Sequence, residues 1–276
     1  AYSENLNPED LMNAASMAAN IADSSSGYHP VNVNKKTPAA YYNIKKSWEN
    51  ISVKDKVPFV KKINEKIFAL DKKVVKVSAS LSDETSTVLF FNSEGKLTYD
   101  FRPMVSFRVN CIMEKDGQIE NSRSARSFRK GFEWLSEDLI DELAREVVDN
   151  TNILFEAIKP KAGEMPVVMG AGGSGILLHE AIGHTFEADF NRKGTSIFSD
   201  KLGKKIAADF INIIDDGTLE HNRGSINIDD EGNTVEKTWL VKDGILNSYL
   251  HDRISADHYK VQPTGNGRRE SFRHMP

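Results

Sequence analysis

The sequence of residues 73–117 is "KVVKVSASLSDETSTVLFFNSEGKLTYDFRPMVSFRVNCIMEKDG", and apolar and polar side chains alternate through most of it. A period of two residues is typical of β-strands that bury one face. Four segments carry the pattern: 74–81, 85–92, 96–102 and 104–114. Because turn-forming residues occur within this stretch ("NSEG", 92–95) and after it ("KDG", 115–117), the pattern predicts an antiparallel meander.

Three amphipathic helices are predicted to flank the meander. The first has Asn7 as its N-cap and runs to about Ile21, and the polar segment Ser24–Lys36 after it is predicted to be a loop. The second, with Pro58 in its first turn, carries apolar residues at helical spacing: Phe59, Val60, Ile63, Ile67 and Leu70. The third is capped by Ser136 and has its own apolar face: Leu139, Ile140, Leu143 and Val147.

A domain boundary is predicted at "KPKAGEMP" (159–166), because two prolines and a glycine interrupt the periodic pattern there. It separates an N-terminal α+β domain (1–160), expected to be incomplete at its start, from the first part of a C-terminal domain (161–276). The predicted elements of the second domain are a strand at 166–169, a helix at about 176–190, a strand at 210–215 and a hairpin at 238–250 that turns at Asp243–Gly244. The predicted fold class is therefore α+β, with N-terminal helices and a meander followed by a mixed, mostly antiparallel β domain.

Composition excludes several classes of protein. The 276 residues include 36 Lys and Arg against 40 Asp and Glu, a net charge of −4, so the chain has no excess of positive charge for nucleic acid. The one cysteine, Cys111, excludes an internal disulfide, fits a reducing cytoplasmic location and is expected to be a buried apolar residue. The uncharged stretch Met165–Leu178 is shorter than the roughly 18–20 residues of a membrane span, so no membrane association is expected. The termini lack start and stop signals, and we expect the chain to be an excerpt of a longer protein.

The segment "GAGGSGILLHEAIGH" (170–184) carries two competing motifs, and the first is a glycine loop. Gly170, Gly172 and Gly175 satisfy the G-x-G-x-x-G spacing of dinucleotide-binding proteins. That fold also needs a second parallel strand that ends in an acidic residue about 20 positions on, whereas Asp189 at this distance lies in the same predicted helix. The glycines are therefore interpreted mainly as a tight turn.

The second motif is HExxxH, formed by His179, Glu180 and His184. On a regular helix, residues five apart point about 140° away from each other, whereas residues four apart are separated by only about 40°. Both histidines can face one ion only if one residue is inserted into the turn, as in a π-bulge. The sequence therefore predicts a locally wide or broken helix between Ala181 and His184, with Gly183 supplying the unusual dihedral angles.

Two imidazoles with an adjacent glutamate are typical of a hydrolytic zinc site. The metal would lower the pKa of a water towards about 7, and Glu180 could take the proton of that water and pass it to the leaving amine. A third protein ligand is required, and spacing does not select it. The candidates by residue type are Cys111, His221, His251, His258, Glu187 and Asp189.

Four segments together closely resemble the TldD branch of the TldD/PmbA family, whose members were named modulators of DNA gyrase and are understood as zinc metalloproteases. They are residues 166–203, "DDGT" (215–218), "INIDDEGN" (226–233) and "PTGNGRRESFRHMP" (263–276). The resemblance is strongest from about Gly163 onward and weaker through the meander.

The resemblance implies that His179 and His184 bind zinc and that Glu180 is the catalytic acid/base. It implies peptide or unfolded-protein substrates held by strand pairing in a chamber between two subunits, as a homodimer or as a heterodimer with a PmbA/TldE-like partner. It places the third zinc ligand, a cysteine, beyond residue 276, so Cys111 does not match it and the metal site of this chain is expected to be incomplete.

Two other functions are compatible with these patterns. One is a non-catalytic regulatory protein that binds DNA gyrase or a component of a toxin–antitoxin system. The other is a dinucleotide-binding oxidoreductase, which would require a parallel strand between Phe190 and Asp216 beside that of Val167. The roles of Arg268, Arg269 and Glu270 stay open between substrate binding and a solvated charge cluster.

Overall fold

The computed structural model describes residues 1–22 and 32–274, and the predicted α+β class is confirmed. The α-helices in these ranges are α1 (Pro8–Ala22), α2 (Val53–Leu70), α3 (Glu137–Leu154), α4 (Ser174–Leu178), α5 (Ala188–Arg192) and α6 (Arg253–Tyr259). The strands are β1 (Asn34–Lys35), β2 (Val74–Phe91), β3 (Lys96–Lys115), β4 (Gln118–Phe128), β5 (Ile213–Asp216), β6 (Lys237–Lys242) and β7 (Ile245–Leu246). Across the described residues, no helix combines the length and the apolar character that a membrane crossing requires.

The meander consists of three long antiparallel strands, with β3 between β2 and β4. The predicted breaks at 82–84 and at Pro103 are wrong, because Asp83 pairs with Val105 and Thr85 pairs with Pro103 inside one continuous ladder. Asp83 is tolerated because the ammonium group of Lys56 on α2 lies 2.6 Å from its carboxylate. Proline has no backbone N–H group to donate to a neighbouring strand. Pro103 is tolerated because pairing of β3 with β4 begins only at Val105, so no hydrogen bond of the ladder is lost on the β4 side.

Helices α2 and α3 pack on one face of this sheet and form its core. The side chains predicted on the apolar face of α3 are all buried, and Ser136 Oγ accepts the predicted cap hydrogen bond from Leu139 N (3.2 Å). Cys111 is fully buried in β3, as predicted. Helix α2 starts earlier than predicted because Asp55 accepts a hydrogen bond from Ser52 N (3.1 Å), so Pro58 lies in the second turn rather than the first.

The N-terminal segment agrees with the prediction at its start. Asn7 Oδ1 accepts a hydrogen bond from Asp10 N (2.8 Å) and caps α1 as expected. The predicted loop over Ser24–Lys36 lies partly outside the described residues. The end of this segment is a strand rather than a loop, because β1 pairs in parallel with Lys96 and Leu97 of β3.

The second half of the chain has a smaller antiparallel sheet in the order β5–β6–β7. Its hairpin turns at Asp243 (φ 50°) and Gly244 (φ 75°), as predicted, and both left-handed residues match a type I′ turn. The predicted strand at 166–169 is wrong, because those residues are exposed and form no strand. The predicted helix over 176–190 is divided into α4, two short irregular turns and α5, and the irregular turns include the region between Ala181 and His184 where a widening was predicted.

A buried polar network joins the two halves of the chain. The carboxylate of Asp100 on β3 accepts hydrogen bonds from the hydroxyl of Tyr42 (2.6 Å), Nε of Arg102 (2.9 Å) and Nδ2 of Asn227 (2.8 Å). Nη1 of Arg102 also donates to Asp230 (2.7 Å). Burial and the neighbouring carboxylate of Asp100 raise the pKa of the Tyr42 hydroxyl, because both disfavour the charged phenolate. The network attaches the 226–230 segment to the large sheet.

Candidate metal centre

The turn after α4 is a π-helix over His179–Gly183, followed by a 3₁₀ turn over His184–Phe186. The N–H of His184 donates to the carbonyl oxygen of His179, five residues earlier. The wide turn predicted between Ala181 and His184 is thereby confirmed. It brings the two imidazole rings together, with their centroids 4.4 Å apart and their planes at 65°.

The three side chains of the HExxxH motif form one exposed cluster. Among the described residues, His179, Glu180 and His184 are the group whose ligand atoms all lie within 4.8 Å of one another. Two ring nitrogens and a carboxylate oxygen are donors that suit zinc. The geometry therefore fits the type of ion that the spacing suggested.

The structural role of Gly183 differs from the predicted one. Its dihedral angles, φ −53° and ψ −57°, are those of an ordinary right-handed helix, so the prediction that it supplies unusual angles is wrong. A Cβ atom at this position would lie 3.2 Å from Nδ1 of His179. A side chain here would therefore be in tight contact with the ring of His179, which would have to shift slightly to admit it.

If the cluster binds zinc in the full-length protein, replacing Gly183 with alanine should weaken that binding on the order of tenfold, because the new methyl group shifts the ring of His179. Helix propensity favours alanine, so thermal unfolding should not occur at a lower temperature. Competition with a chromophoric chelator measures the affinity. Gly175→Ala is the matched control, because a Cβ atom there meets nothing within 4 Å; equal affinities of the two variants would contradict the prediction.

His184 contacts a neighbouring carboxylate. Its Nδ1 atom lies 2.8 Å from Oε1 of Glu187, and both side chains are substantially exposed. The hydrogen bond to Glu187 and the charge of that carboxylate raise the pKa of His184. The sequence pattern included Glu187 only among possible metal ligands, and the contact with His184 was not predicted.

The six candidate third ligands lie outside the histidine cluster of the described residues. Cys111 is in the sheet core, and Nδ1 of His221 contacts the carbonyl oxygen of Arg129 (3.1 Å). His251 is buried against Tyr249 and Tyr259, and burial lowers its pKa. The others contact their own neighbours: His258 packs on Tyr259, Asp189 pairs with Lys193 and Glu187 contacts His184.

The glycine loop lacks the surroundings of a dinucleotide site. Residues 166–216 are all described, and the strand among them, β5, pairs with β6 in an antiparallel manner. No strand is present at Val167. The parallel unit that the dinucleotide interpretation requires is therefore absent from this part of the chain.

The charged residues near the C-terminal end of the described chain have structural contacts. The backbone N–H of Arg269 donates to Asp230 (2.9 Å), and Nε of Arg268 lies 3.9 Å from the same carboxylate. Glu270 is exposed and lies 3.8 Å from His274. Arg268 and Arg269 thus extend the buried network through Asp230.

Two domain families match the chain and together cover most of it. Residues 46–155 match the PmbA/TldA metallopeptidase central domain, and residues 162–276 match the PmbA/TldA metallopeptidase C-terminal domain. The chain belongs to the PmbA/TldD family. The family resemblance inferred from the sequence motifs is thereby confirmed, and the chain is part of a metallopeptidase family.

Relatives in the PmbA/TldD family carry related names. The chain is 37% identical to the metalloprotease TldD homolog of Haemophilus influenzae over 283 aligned positions, which is 100% of the chain and 59% of that protein. It is 38% identical to the zinc metalloprotease TldD homolog of Saccharolobus solfataricus over 117 positions, which is 42% of the chain and 26% of that protein. The chain therefore spans about 59% of the length of the first of these relatives.

Solved structures show the same fold. A Thermotoga maritima protein named as a modulator of a DNA gyrase superposes with a TM-score of 0.78 at 22% identity, covering 96% of the chain and 60% of that protein. TldE from Thermococcus kodakarensis superposes with a TM-score of 0.71 at 20% identity, covering 95% of the chain and 58% of that protein. At these identities the likeness establishes the architecture alone.

Proposed function

We propose that this chain carries the catalytic cluster of a TldD-like zinc metallopeptidase that hydrolyses small peptides or unfolded segments. The proposal rests on the π-helical turn over His179–Gly183, which brings the rings of His179 and His184 together beside Glu180. A regular helix would have separated the two rings and left no site for an ion. The names of the relatives support the same reaction class.

In the proposed mechanism, His179 and His184 would hold the ion through ring nitrogens, and Glu180 would be free for proton transfer. Bound zinc would supply Lewis acidity, which lowers the pKa of a water and polarises the peptide carbonyl group. Glu180 would accept a proton from the attacking water and deliver it to the leaving amine, since one of its carboxylate oxygens lies within 4.8 Å of a ring nitrogen of each histidine.

A complete zinc site needs a further protein ligand, and the described part of this chain does not bring one to the cluster. We propose that this ligand comes from the C-terminal sequence that family members carry after the part matched by this chain, as the resemblance implies.

We also propose that the protein acts as a dimer, with itself or with a TldE-like subunit. The boundary at residue 160 likewise stays a proposal, and the two matched domain families lie on either side of it.

The metal content of the full-length protein tests this function. We expect about one zinc ion per chain, loss of peptide hydrolysis on treatment with a chelator, and recovery when zinc is restored. His179→Ala should lose the metal, whereas the control His258→Ala should retain it, because His258 is an exposed histidine of α6 outside the cluster. Retention of stoichiometric zinc by His179→Ala would refute the proposed site.

A further inference from the structure

The carboxylate of Glu187 contacts one of the two ring nitrogens of His184. Oε1 of Glu187 lies 2.8 Å from Nδ1 of His184, a normal hydrogen-bond distance. An ionised carboxylate can only accept, so Nδ1 must carry the hydrogen and donate it. In a neutral imidazole this leaves the lone pair on Nε2, the other ring nitrogen.

The backbone of Glu187 is held in place by buried neighbours. Ala188 N donates to the carbonyl oxygen of Leu250 (2.9 Å), and Leu250 N donates to that of Phe186 (2.9 Å). Nδ2 of Asn191 donates to the carbonyl oxygen of Glu187 itself (2.9 Å). Phe186, Ala188 and Asn191 are all buried. The carboxylate therefore projects from a fixed point of the backbone, although the side chain itself is exposed.

This arrangement follows from the end of the irregular helix. Glu187 has an extended conformation (φ −64°, ψ 125°) and ends the 3₁₀ turn that starts at His184. The extended residue lets the chain pair with Leu250 as an isolated parallel bridge. The same break in the helix thus ties this segment to the second half of the domain and places a carboxylate three residues after a histidine.

We infer that Glu187 is a positioning residue for the metal site. It holds the ring of His184 in the tautomer and orientation in which Nε2 binds the ion, and it is not itself a ligand. The inference rests on the proposed zinc function. It is consistent with the cluster of ligand atoms, which includes Glu180 and both histidines and does not include Glu187. Carboxylates that accept from the second nitrogen of a ligating histidine raise its basicity and affinity for the metal.

The test compares Zn²⁺ and Co²⁺ affinities of full-length variants by chelator competition. We expect Glu187→Ala to weaken binding by about 10- to 100-fold. Glu187→Gln should weaken it less, because the amide oxygen still accepts from Nδ1. At saturation, the Co²⁺ absorption bands of both variants should match those of the unmodified protein, because the set of ligands is unchanged. Asp189→Asn is the matched control, since that carboxylate pairs with Lys193 on the same segment.

His184→Ala, measured in the same series, separates failure of the inference from failure of the proposed function. If His184→Ala loses the metal while both Glu187 variants bind as tightly as the unmodified protein, the positioning role is refuted and the zinc site stands. If both Glu187 variants lose as much affinity as His184→Ala and the Co²⁺ bands shift, Glu187 is a ligand and the inference is also refuted. If His184→Ala binds metal normally, the proposed site itself is wrong.

Discussion

Glu180→Gln in the full-length protein should lower the rate of peptide hydrolysis by about 100- to 10,000-fold, the range by which positioned acid/base groups accelerate proton transfer. The amide has nearly the same size as the carboxylate but cannot accept a proton from water. Glu180 lies in the π-turn directly after His179, and both histidines are retained, so the zinc content should change little. Chromatography of the products formed from an unstructured peptide measures the rate of hydrolysis, and metal analysis of the same protein measures the zinc content.

The control for this variant is Glu156→Gln, which changes an exposed carboxylate outside the cluster and should keep full activity. Undiminished hydrolysis by Glu180→Gln would contradict the peptidase mechanism. The same variant tests the alternative of a regulatory binding protein. If hydrolysis is lost while a regulatory effect on gyrase or on a toxin–antitoxin system is retained, that effect depends on binding rather than on cleavage.

Asp100→Ala should reduce the free energy of unfolding by about 3–5 kcal/mol, because it removes one partner of a buried ion pair together with the acceptor of two further buried donors. Asp100 is fully buried, and its carboxylate accepts from Tyr42, Arg102 and Asn227. After the substitution, the Tyr42 hydroxyl loses its acceptor and Arg102 retains Asp230 alone as a charged partner among these groups. Urea unfolding, followed by circular dichroism, measures the loss.

Asp209→Ala provides a matched comparison for Asp100→Ala. The carboxylate of Asp209 also pairs with a cation, Lys205, but both side chains are largely exposed, so its loss should change stability by less than about 0.5 kcal/mol. Similar stabilities of the two variants would show that the buried network contributes no more than a surface ion pair. We expect the Asp100 variant also to be cut more readily by proteases in the 226–230 segment, because Asn227 would lose its hydrogen bond to Asp100 of β3.

Local features were predictable when neighbouring residues determine them. The caps at Asn7 and Ser136 and the hairpin turn at Asp243–Gly244 each depend on residues within one turn, and all three were confirmed. The π-turn was predictable for a related reason. Five-residue spacing between two ligand-type histidines is compatible with one ion only if the helix is widened, and the structure has that widening.

Predictions failed where contacts from distant parts of the chain compensate for unfavourable local residues. Asp83 and Pro103 were expected to interrupt strands. Lys56 of α2 neutralises Asp83. Because pairing with β4 begins only at Val105, no hydrogen bond is required from the nitrogen of Pro103 on that side. Gly183 was expected for its backbone angles, but its importance comes from the ring of His179 that packs against it. Neither effect has a sequence pattern of its own.

The amino-acid sequence was enough to predict the class of the fold, the positions of the main helices and the three residues of the candidate metal centre. Periodicity, caps and motif spacing act over a few residues, and they are present in the chain before it folds. Folding was needed to bring Glu187 to His184 through a segment fixed by Leu250, and to bring Asn227 to Asp100 from 127 positions away. Such pairs depend on how the sheet, the helices and the loops pack together, because a buried carboxylate is stable only where several distant donors converge on it.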